Sequence, residues 1–150
     1  MNNECIKILI VDDDPVVLSV LEETFSNDAH LAVSTMSDSE EAYHRLERDT
    51  FDLLITDLMM PRVDGLSLLA HAIKFQPDIL VVMVSGYASL ETALQAIHAG
   101  VYDYITKPFR VEEFRLLVHN VAEHIRLKAE NKSLAADIEA LIGRVAVLEQ

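Results

Sequence analysis

Cysteine is nearly missing from this 150-residue chain. Cys5 stands alone, so no intrachain disulfide can form, and a cytosolic location is the simplest reading. Positive charge is scarce too. Twelve Lys and Arg face 25 Asp and Glu, a formal net charge of -13, which argues against these residues gripping nucleic acid or an anionic membrane. Long hydrophobic runs are lacking; the longest, residues 79–84, is far too short to cross a bilayer. The first four residues have no basic region leading into an apolar stretch, so no secretory signal is visible. None of the four glycines follows the first apolar run, which disfavours a dinucleotide-binding βαβ unit. The histidines are scattered, and even the closest pair, His119 and His124, has poor spacing for one helical face. They read as surface or core-edge residues rather than zinc ligands.

Apolar residues, by contrast, make up 51% of the chain, enough for one domain with its own core plus an appendage. Four apolar runs each stop at a polar residue of a different kind. Ile6–Val11 ends at Asp12 and Asp13, residues 51–56 at Asp57, residues 79–84 at Ser85, and residues 102–106 at Lys107. If these runs are neighbouring parallel strands, carboxylates, a hydroxyl and an ammonium converge at the carboxyl edge of a sheet, where open α/β sheets bind ligands. Clustered carboxylates repel one another unless protonated or shared by a cation, so a divalent metal is expected. With a lysine and a hydroxyl opposite, the array reads as a phosphoryl-transfer site.

Apolar runs alternate with helical patterns five times, which points to βα units and a parallel sheet. Helix one is expected to start with Asp14 as N-cap and Pro15 at N1, with Val17, Val20, Leu21 and Thr24 facing inward. A weaker strand, residues 31–35, follows. Ser37 and Glu40 would form a capping box for helix two. Asp64-Gly65 makes a turn into helix three, whose Leu66, Leu69, Ala70 and Ile73 should face inward. Helix four runs from about Ser89 to Ala99 and stops at Gly100. A last helix starts near Val111, with Phe114, Leu117, Val118, Val121 and Ile125 forming a stripe suited to packing on the sheet.

After that stripe the period changes. Leu127, Leu134, Leu141 and Leu148 fall seven apart, with Asn131, Ile138 and Val145 between them, as at d and a positions of a heptad. A lone Asn at an a position fixes register in parallel dimers. Glu123 would face Lys128, and Arg144 would face Glu149, on a partner helix. The expectation is a domain over residues 1–125 and a parallel dimeric coil over 126–150; the alternative is an amphipathic helix folding back. The helix runs to Gln150 without a stop signal, which suggests a piece of a longer protein.

Four segments in order, residues 8–15 (ILIVDDDP), 54–61 (LITDLMMP) with Asp64-Gly65, 84–87 (VSGY) and 104–109 (YITKPF), resemble the receiver domain of two-component response regulators. The resemblance covers about residues 5 to 125. It implies a five-stranded parallel sheet, doubly wound as (βα)5 in the flavodoxin-like manner, with strand order 2-1-3-4-5. It makes Asp57 the phosphoryl acceptor, and a carboxylate at a strand end can indeed attack phosphorus. Asp12 and Asp13 look like the acidic pair that holds Mg²⁺ (or Mn²⁺), Asp13 directly and Asp12 mostly through water, with Asp57 and the Met59 carbonyl completing the protein's share. Helix capping would explain Asp14 but leaves the other two acids unaccounted for. Lys107 would pair with phosphoryl oxygens, Ser85 would move toward them, and Tyr104 would turn inward as the switch aromatic. The implied partners are a sensor histidine kinase and a second copy of the chain, with neither nucleic acid nor membrane contacted directly.

The resemblance thus describes a signalling switch, catalysing only its own phosphorylation and dephosphorylation. A haloacid-dehalogenase-like phosphohydrolase would share the Asp, metal, hydroxyl and lysine, but places its nucleophile in a D-x-D pattern after strand one. Residues 127–134 resemble linkers ahead of the ATPase domain of enhancer-binding transcription activators, and similar coils precede diguanylate cyclase or kinase domains. Transcription regulation is the expected output.

Overall fold

The computed structural model describes residues 5–86 and 89–148, with side chains to residue 146. The expectations placed on Tyr87, Glu149 and the Leu148 side chain lie outside the described residues. Two compact units are present, residues 1–111 and 112–150.

In the first unit strands β1 (Ile6–Val11), β2 (Leu31–Met36), β3 (Leu53–Asp57), β4 (Leu80–Ser85) and β5 (Asp103–Thr106) alternate with helices α1 (Pro15–Phe25), α2 (Ser39–Arg48), α3 (Gly65–Phe75) and α4 (Leu90–Ala99). All strand pairs are parallel, in the order β2-β1-β3-β4-β5. Both faces of β1, β3 and β4 are buried, as a parallel sheet covered on two sides requires. Leu9, Val11, Leu54, Val81 and Met83 lie on one face and form a core with Ala42, Leu46, Leu68, Leu69 and Ala72.

The caps explain where the helices begin. Asp14 accepts from Val16 N–H, with Pro15 at the first helical position, as expected. Ser89 and Thr92 form a reciprocal capping box on α4, which ends at Gly100 in the left-handed conformation, φ 100. At α2 the expectation is corrected: Asp38, not Ser37, is the N-cap, accepting from the N–H groups of Glu40 and Glu41. A carboxylate is the stronger acceptor there because it also meets the positive end of the helix dipole. Asp64 caps α3 through Ser67 N–H.

Two helical faces are corrected as well. In α1 the buried residues are Leu18, Leu21 and Phe25; Val17 and Thr24 are half-buried and Val20 is exposed. In α3 they are Gly65, Leu68, Leu69, His71 and Ala72, with Leu66 and Ile73 half-buried and Ala70 outside. His71 stacks on Tyr43 at 3.4 Å between centroids, a core-edge histidine. Its Nε2 is 3.1 Å from Glu47 Oε1 but off the direction a hydrogen bond needs.

The second unit belongs to helix α5, Val111–Leu148, about 57 Å long at 1.5 Å per residue. Phe114, Val118, Val121 and Ala122 near its start are buried, and Leu117 and Ile125 half-buried. From Leu127 onward every described side chain is exposed. No helix among the described residues is long and apolar enough to cross a membrane.

Candidate functional site

Strand order alone places the chemistry. β1 and β3 are neighbours, so Asp12, just past β1, and Asp57, the last residue of β3, end side by side. Both are buried, at 3% and 8% exposure. Asp13 is exposed, and ligand oxygens of Asp12, Asp13 and Asp57 lie within 4.8 Å of one another. Lys107, which follows β5, sends its Nζ between two of them: it donates to Asp12 Oδ2 at 2.7 Å and to Asp57 Oδ2 at 3.0 Å. Residues 95 and 50 positions apart in the chain are thereby in contact.

The remaining carboxylate oxygens are held from below. Asp12 Oδ1 accepts from the Asp14 N–H at 2.9 Å, and Asp57 Oδ1 from the Met59 N–H at 3.3 Å. Asp13 has no hydrogen-bond partner among the described residues and is the open carboxylate of the three. Around Asp57 the backbone is locked: Leu58 N–H donates to Val84 O at 2.9 Å, and Gly65 N–H returns to Leu58 O at 2.8 Å. Gly65 packs so tightly that a Cβ there would collide with the Asp57 carbonyl oxygen and come within 2.8 Å of Leu58 Cα. From the sequence Gly65 reads only as a turn residue; its close packing under the acceptor is a tertiary fact.

Burial acts to lower the pKa of Lys107, but the hydrogen bonds to Asp12 and Asp57 and the charges of both carboxylates outweigh it. The ammonium is held above the ordinary lysine value of 10.5 and is protonated at neutral pH. Its backbone N–H donates to Ser85 O at 2.8 Å, and the Lys107-Pro108 bond is cis. Ser85 is fully buried. The β4–β5 register pairs Met83 with Tyr104 and Ser85 with Thr106, so Tyr104 and Ser85 share a face of the sheet one step apart. Tyr104 is half-buried against the core.

The donor set suits a hard divalent cation: three carboxylates in mutual reach, all oxygen ligands, one of them exposed to solvent. Asp14, which a D-x-D hydrolase would need as a working acid, is occupied as a helix cap. Met59 contributes its N–H to Asp57 and leaves its side chain exposed. The heptad residues Leu127, Asn131, Leu134, Ile138, Leu141 and Val145 belong to α5 and the other unit, away from this chemistry in sequence.

Over residues 8–119 the chain matches the response regulator receiver domain family. It is 32% identical over 149 residues to the C4-dicarboxylate transport transcriptional regulatory protein DctD of Rhizobium meliloti, covering 95% of this chain and 32% of that protein. To the response regulator protein PilR of Pseudomonas aeruginosa it is 36% identical over 137 residues, covering 91% and 30%. The chain spans about a third of the length of these relatives. Among solved structures, a CheY-like receiver domain protein from Methanospirillum hungatei JF-1 superposes with a TM-score of 0.78 at 28% identity, covering 83% of this chain and 99% of the other. The beryllofluoride-activated NtrC4 receiver domain dimer gives 0.72 at 28% identity, covering 79% and 98%. Sequence match and superposition agree with the sheet order derived from the strands, and the chain belongs to the response regulator receiver domain family of two-component signalling.

Proposed function

We propose that this chain takes a phosphoryl group from a phosphohistidine of a partner sensor kinase onto Asp57. The change is then relayed through α4, β5 and α5 to an output domain. The observation that carries this reading is Lys107 Nζ, held between the buried carboxylates of Asp12 and Asp57 with Asp13 alongside.

In the transfer, a carboxylate oxygen of Asp57 forms the new P–O bond as the P–N bond of the donor breaks and its electron pair leaves with the imidazole. Negative charge spreads over the three oxygens of the moving phosphoryl group. Lys107 is positively charged and already within 3.0 Å of Asp57 Oδ2, so it stabilises that charge without reorganisation. Asp12, Asp13, Asp57 and the Met59 carbonyl are the residues that would hold Mg²⁺ (or Mn²⁺), which when bound adds positive charge opposite the lysine. Asp13, with no other partner among the described residues, is suited to direct ligation. Asp12, with both oxygens engaged, is suited to ligation through water.

Once Asp57 is phosphorylated, the dianion draws the Ser85 hydroxyl and Lys107, and Tyr104 follows on the same face of the sheet. The chain is a switch whose only chemistry is its own phosphorylation and dephosphorylation. Residues 1–125 act as the receiver. Residues 126–150 pair with a second copy through Leu127, Asn131, Leu134, Ile138, Leu141, Val145 and Leu148. In support, Leu127, Leu134, Ile138, Leu141 and Val145 are 47–57% exposed in the single chain, a long apolar seam for a helix left uncovered. Relatives named as transcriptional regulators make transcription control the preferred output; a diguanylate cyclase or kinase output is the alternative.

The test is label transfer from a radiolabelled phosphorylated kinase or acetyl phosphate. Wild type should take up acid-stable, base-labile label, and Asp57→Asn should take up none. Label persisting at the same site in Asp57→Asn would overturn the assignment.

A further inference from the structure

The loop between β3 and α3, residues 58–64, carries Met59 and links the acceptor to the cap of α3. Its two ends are fixed: Leu58 donates its N–H to Val84 O of β4 and accepts from Gly65 N–H, and the Asp64 side chain accepts from Ser67 N–H. The middle is a tight turn in which Val63 N–H donates to Pro61 O at 2.9 Å. Between them Arg62 sits at φ 71, in the left-handed region that a long side chain adopts only when its surroundings impose it.

What imposes it comes from α2. Ser39, at 2% exposure, is the first residue of that helix. Its hydroxyl donates to Pro61 O at 2.7 Å and lies 3.3 Å from the Val63 N–H, which it accepts. One hydroxyl therefore grips the turn on both sides of Arg62. The Arg62 guanidinium meets Asp38 at 3.2 Å and Glu40 at 4.0 Å, but these groups are exposed and weakly coupled. The buried grip is that of Ser39.

Ser39 is free for this task because Asp38 caps the helix in its stead. A serine in the cap position would have spent its hydroxyl on the helix's own N–H groups. The chain instead places an acid at the cap and directs the next hydroxyl across to a loop 22 residues away.

We propose that Ser39 is a positioning residue for the phosphoacceptor loop, holding the turn 61–63 so that Met59 stays aligned with Asp57. The inference rests on the reading of Asp57 as acceptor. Its chemistry is a constraint, not a contact with the reacting atoms. Met59 donates its N–H to Asp57 Oδ1 at 3.3 Å, already at the long end for such a bond, and has little local support of its own. Releasing the turn two residues further on loosens both that N–H and the carbonyl that would face the metal. The loss should appear in how much Mg²⁺ the site requires, not in how fast a loaded site reacts.

The test uses Ser39→Ala, which removes only the hydroxyl, and Ser39→Thr, which keeps it. A core variant seven residues further along the same helix, Leu46→Val, serves as a control for general destabilisation. Two quantities are read. The first is amide hydrogen exchange at Met59 and Val63 without metal. The second is the Mg²⁺ concentration giving half-maximal labelling by acetyl phosphate, with the maximal rate recorded separately.

In Ser39→Ala, exchange at Met59 and Val63 should quicken about five-fold and half-saturating Mg²⁺ should rise about five-fold, the factor one lost hydrogen bond is worth. The maximal rate should stay within two-fold. Leu46→Val should move neither quantity at those two amides. If Ser39→Thr folds with the wild-type melting temperature, it should restore both. Exchange and Mg²⁺ requirement in Ser39→Ala equal to wild type would overturn the proposal. So would an equal change in Leu46→Val. Absence of label from the wild-type chain is a different failure: it removes the acceptor reading, while the exchange result still judges the clamp.

Discussion

Lys107→Ala should push two measurements in opposite directions. The side chain sits 2.7 Å from Asp12 and 3.0 Å from Asp57, and it is 22% exposed. At an effective dielectric of about 20, each contact is worth ~6 kcal/mol of gross attraction. Desolvation offsets most of that, and breaking a buried pair costs ~3–5 kcal/mol net. Partial exposure brings the expected loss of stability nearer ~2 kcal/mol. The local charge changes as well: three carboxylates and one ammonium sum to -2, and without the lysine to -3. A divalent cation should then bind more tightly, by about ten-fold if ~1.4 kcal/mol of the repulsion is felt. With Mg²⁺ at ten times the wild-type dissociation constant, binding stabilises the wild type by ~1.4 kcal/mol and the variant by ~2.7 kcal/mol. Thermal melts with and without Mg²⁺ should therefore shift by roughly 4 °C in wild type and roughly 8 °C in the variant. Phosphoryl uptake should nonetheless fall by about 10²-fold, the usual cost of deleting a preorganised donor to developing charge. Because the folded pKa of Lys107 lies above 10.5, its stabilisation is complete below that pH and is lost as pH rises through the folded value. The stability gap between wild type and variant should thus be flat through neutral pH and close only above 10.5. A smaller Mg²⁺ shift in the variant than in wild type, or uptake within three-fold of wild type, would refute this account.

Met59→Asn should shorten the lifetime of the phosphoryl group, since a polar side chain two residues past the acceptor can orient an attacking water and methionine cannot; an unchanged decay rate in a label-chase assay sinks that idea. Gly65→Ala should cost roughly 2–4 kcal/mol by urea denaturation, because the new methyl meets the Asp57 carbonyl and Leu58 Cα, both backbone; a loss below about 1 kcal/mol would show the loop yields freely. Leu134→Ala removes a side chain 57% exposed in the single chain. At ~1 kcal/mol per subunit, the dimer constant should weaken about 30-fold by sedimentation, and an unaltered association constant would argue that another surface pairs.

The strands and the site residues at their ends were readable because the physics there is local. A parallel strand buried on both faces is a continuous apolar run, and its end is marked by the first polar residue. Asp14-Pro15 and Gly100 were legible for the same reason: each is a cap whose signal lies in one or two neighbouring residues. The helical phases were not. In α1, Val16, Val17, Leu18, Val20 and Leu21 make nearly every direction apolar, and only packing decides that Leu18, Leu21 and Phe25 turn inward. At α2 the stretch Ser37, Asp38, Ser39 offers three capping residues in a row, and the helix dipole's small preference for an acid does not by itself choose among them. The outcome depends on Pro61 and Val63, whose polar backbone groups need a hydroxyl from Ser39. Gly65 and Arg62 escaped for a similar reason, since close packing and an imposed φ are set by segments distant in the chain.

The strand order has a consequence for Lys107 itself. Neighbouring strands lie about 4.8 Å apart, so β5 is roughly 10 Å from β3 and roughly 14 Å from β1. The four-carbon stem of Lys107 and the Asp12 side chain together bridge the wider gap, meeting at 2.7 Å. Lys107 N–H is bonded to Ser85 O, the next rung of the β4–β5 ladder, so its backbone stays beside β4 and its stem crosses the end of that strand to reach both carboxylates. At Gly86, just past β4, a Cβ would lie 3.8 Å from the Lys107 Cβ, an ordinary van der Waals contact. The edge position of β2 completes the geometry. Were β2 inserted between β1 and β3, Asp12 and Asp57 would stand another strand apart, and one ammonium could not touch both. Reversal of strand order beside β1 is thus the condition for a single lysine to join carboxylates from two strands, and it is why this edge of the sheet, and no other, can hold the chemistry.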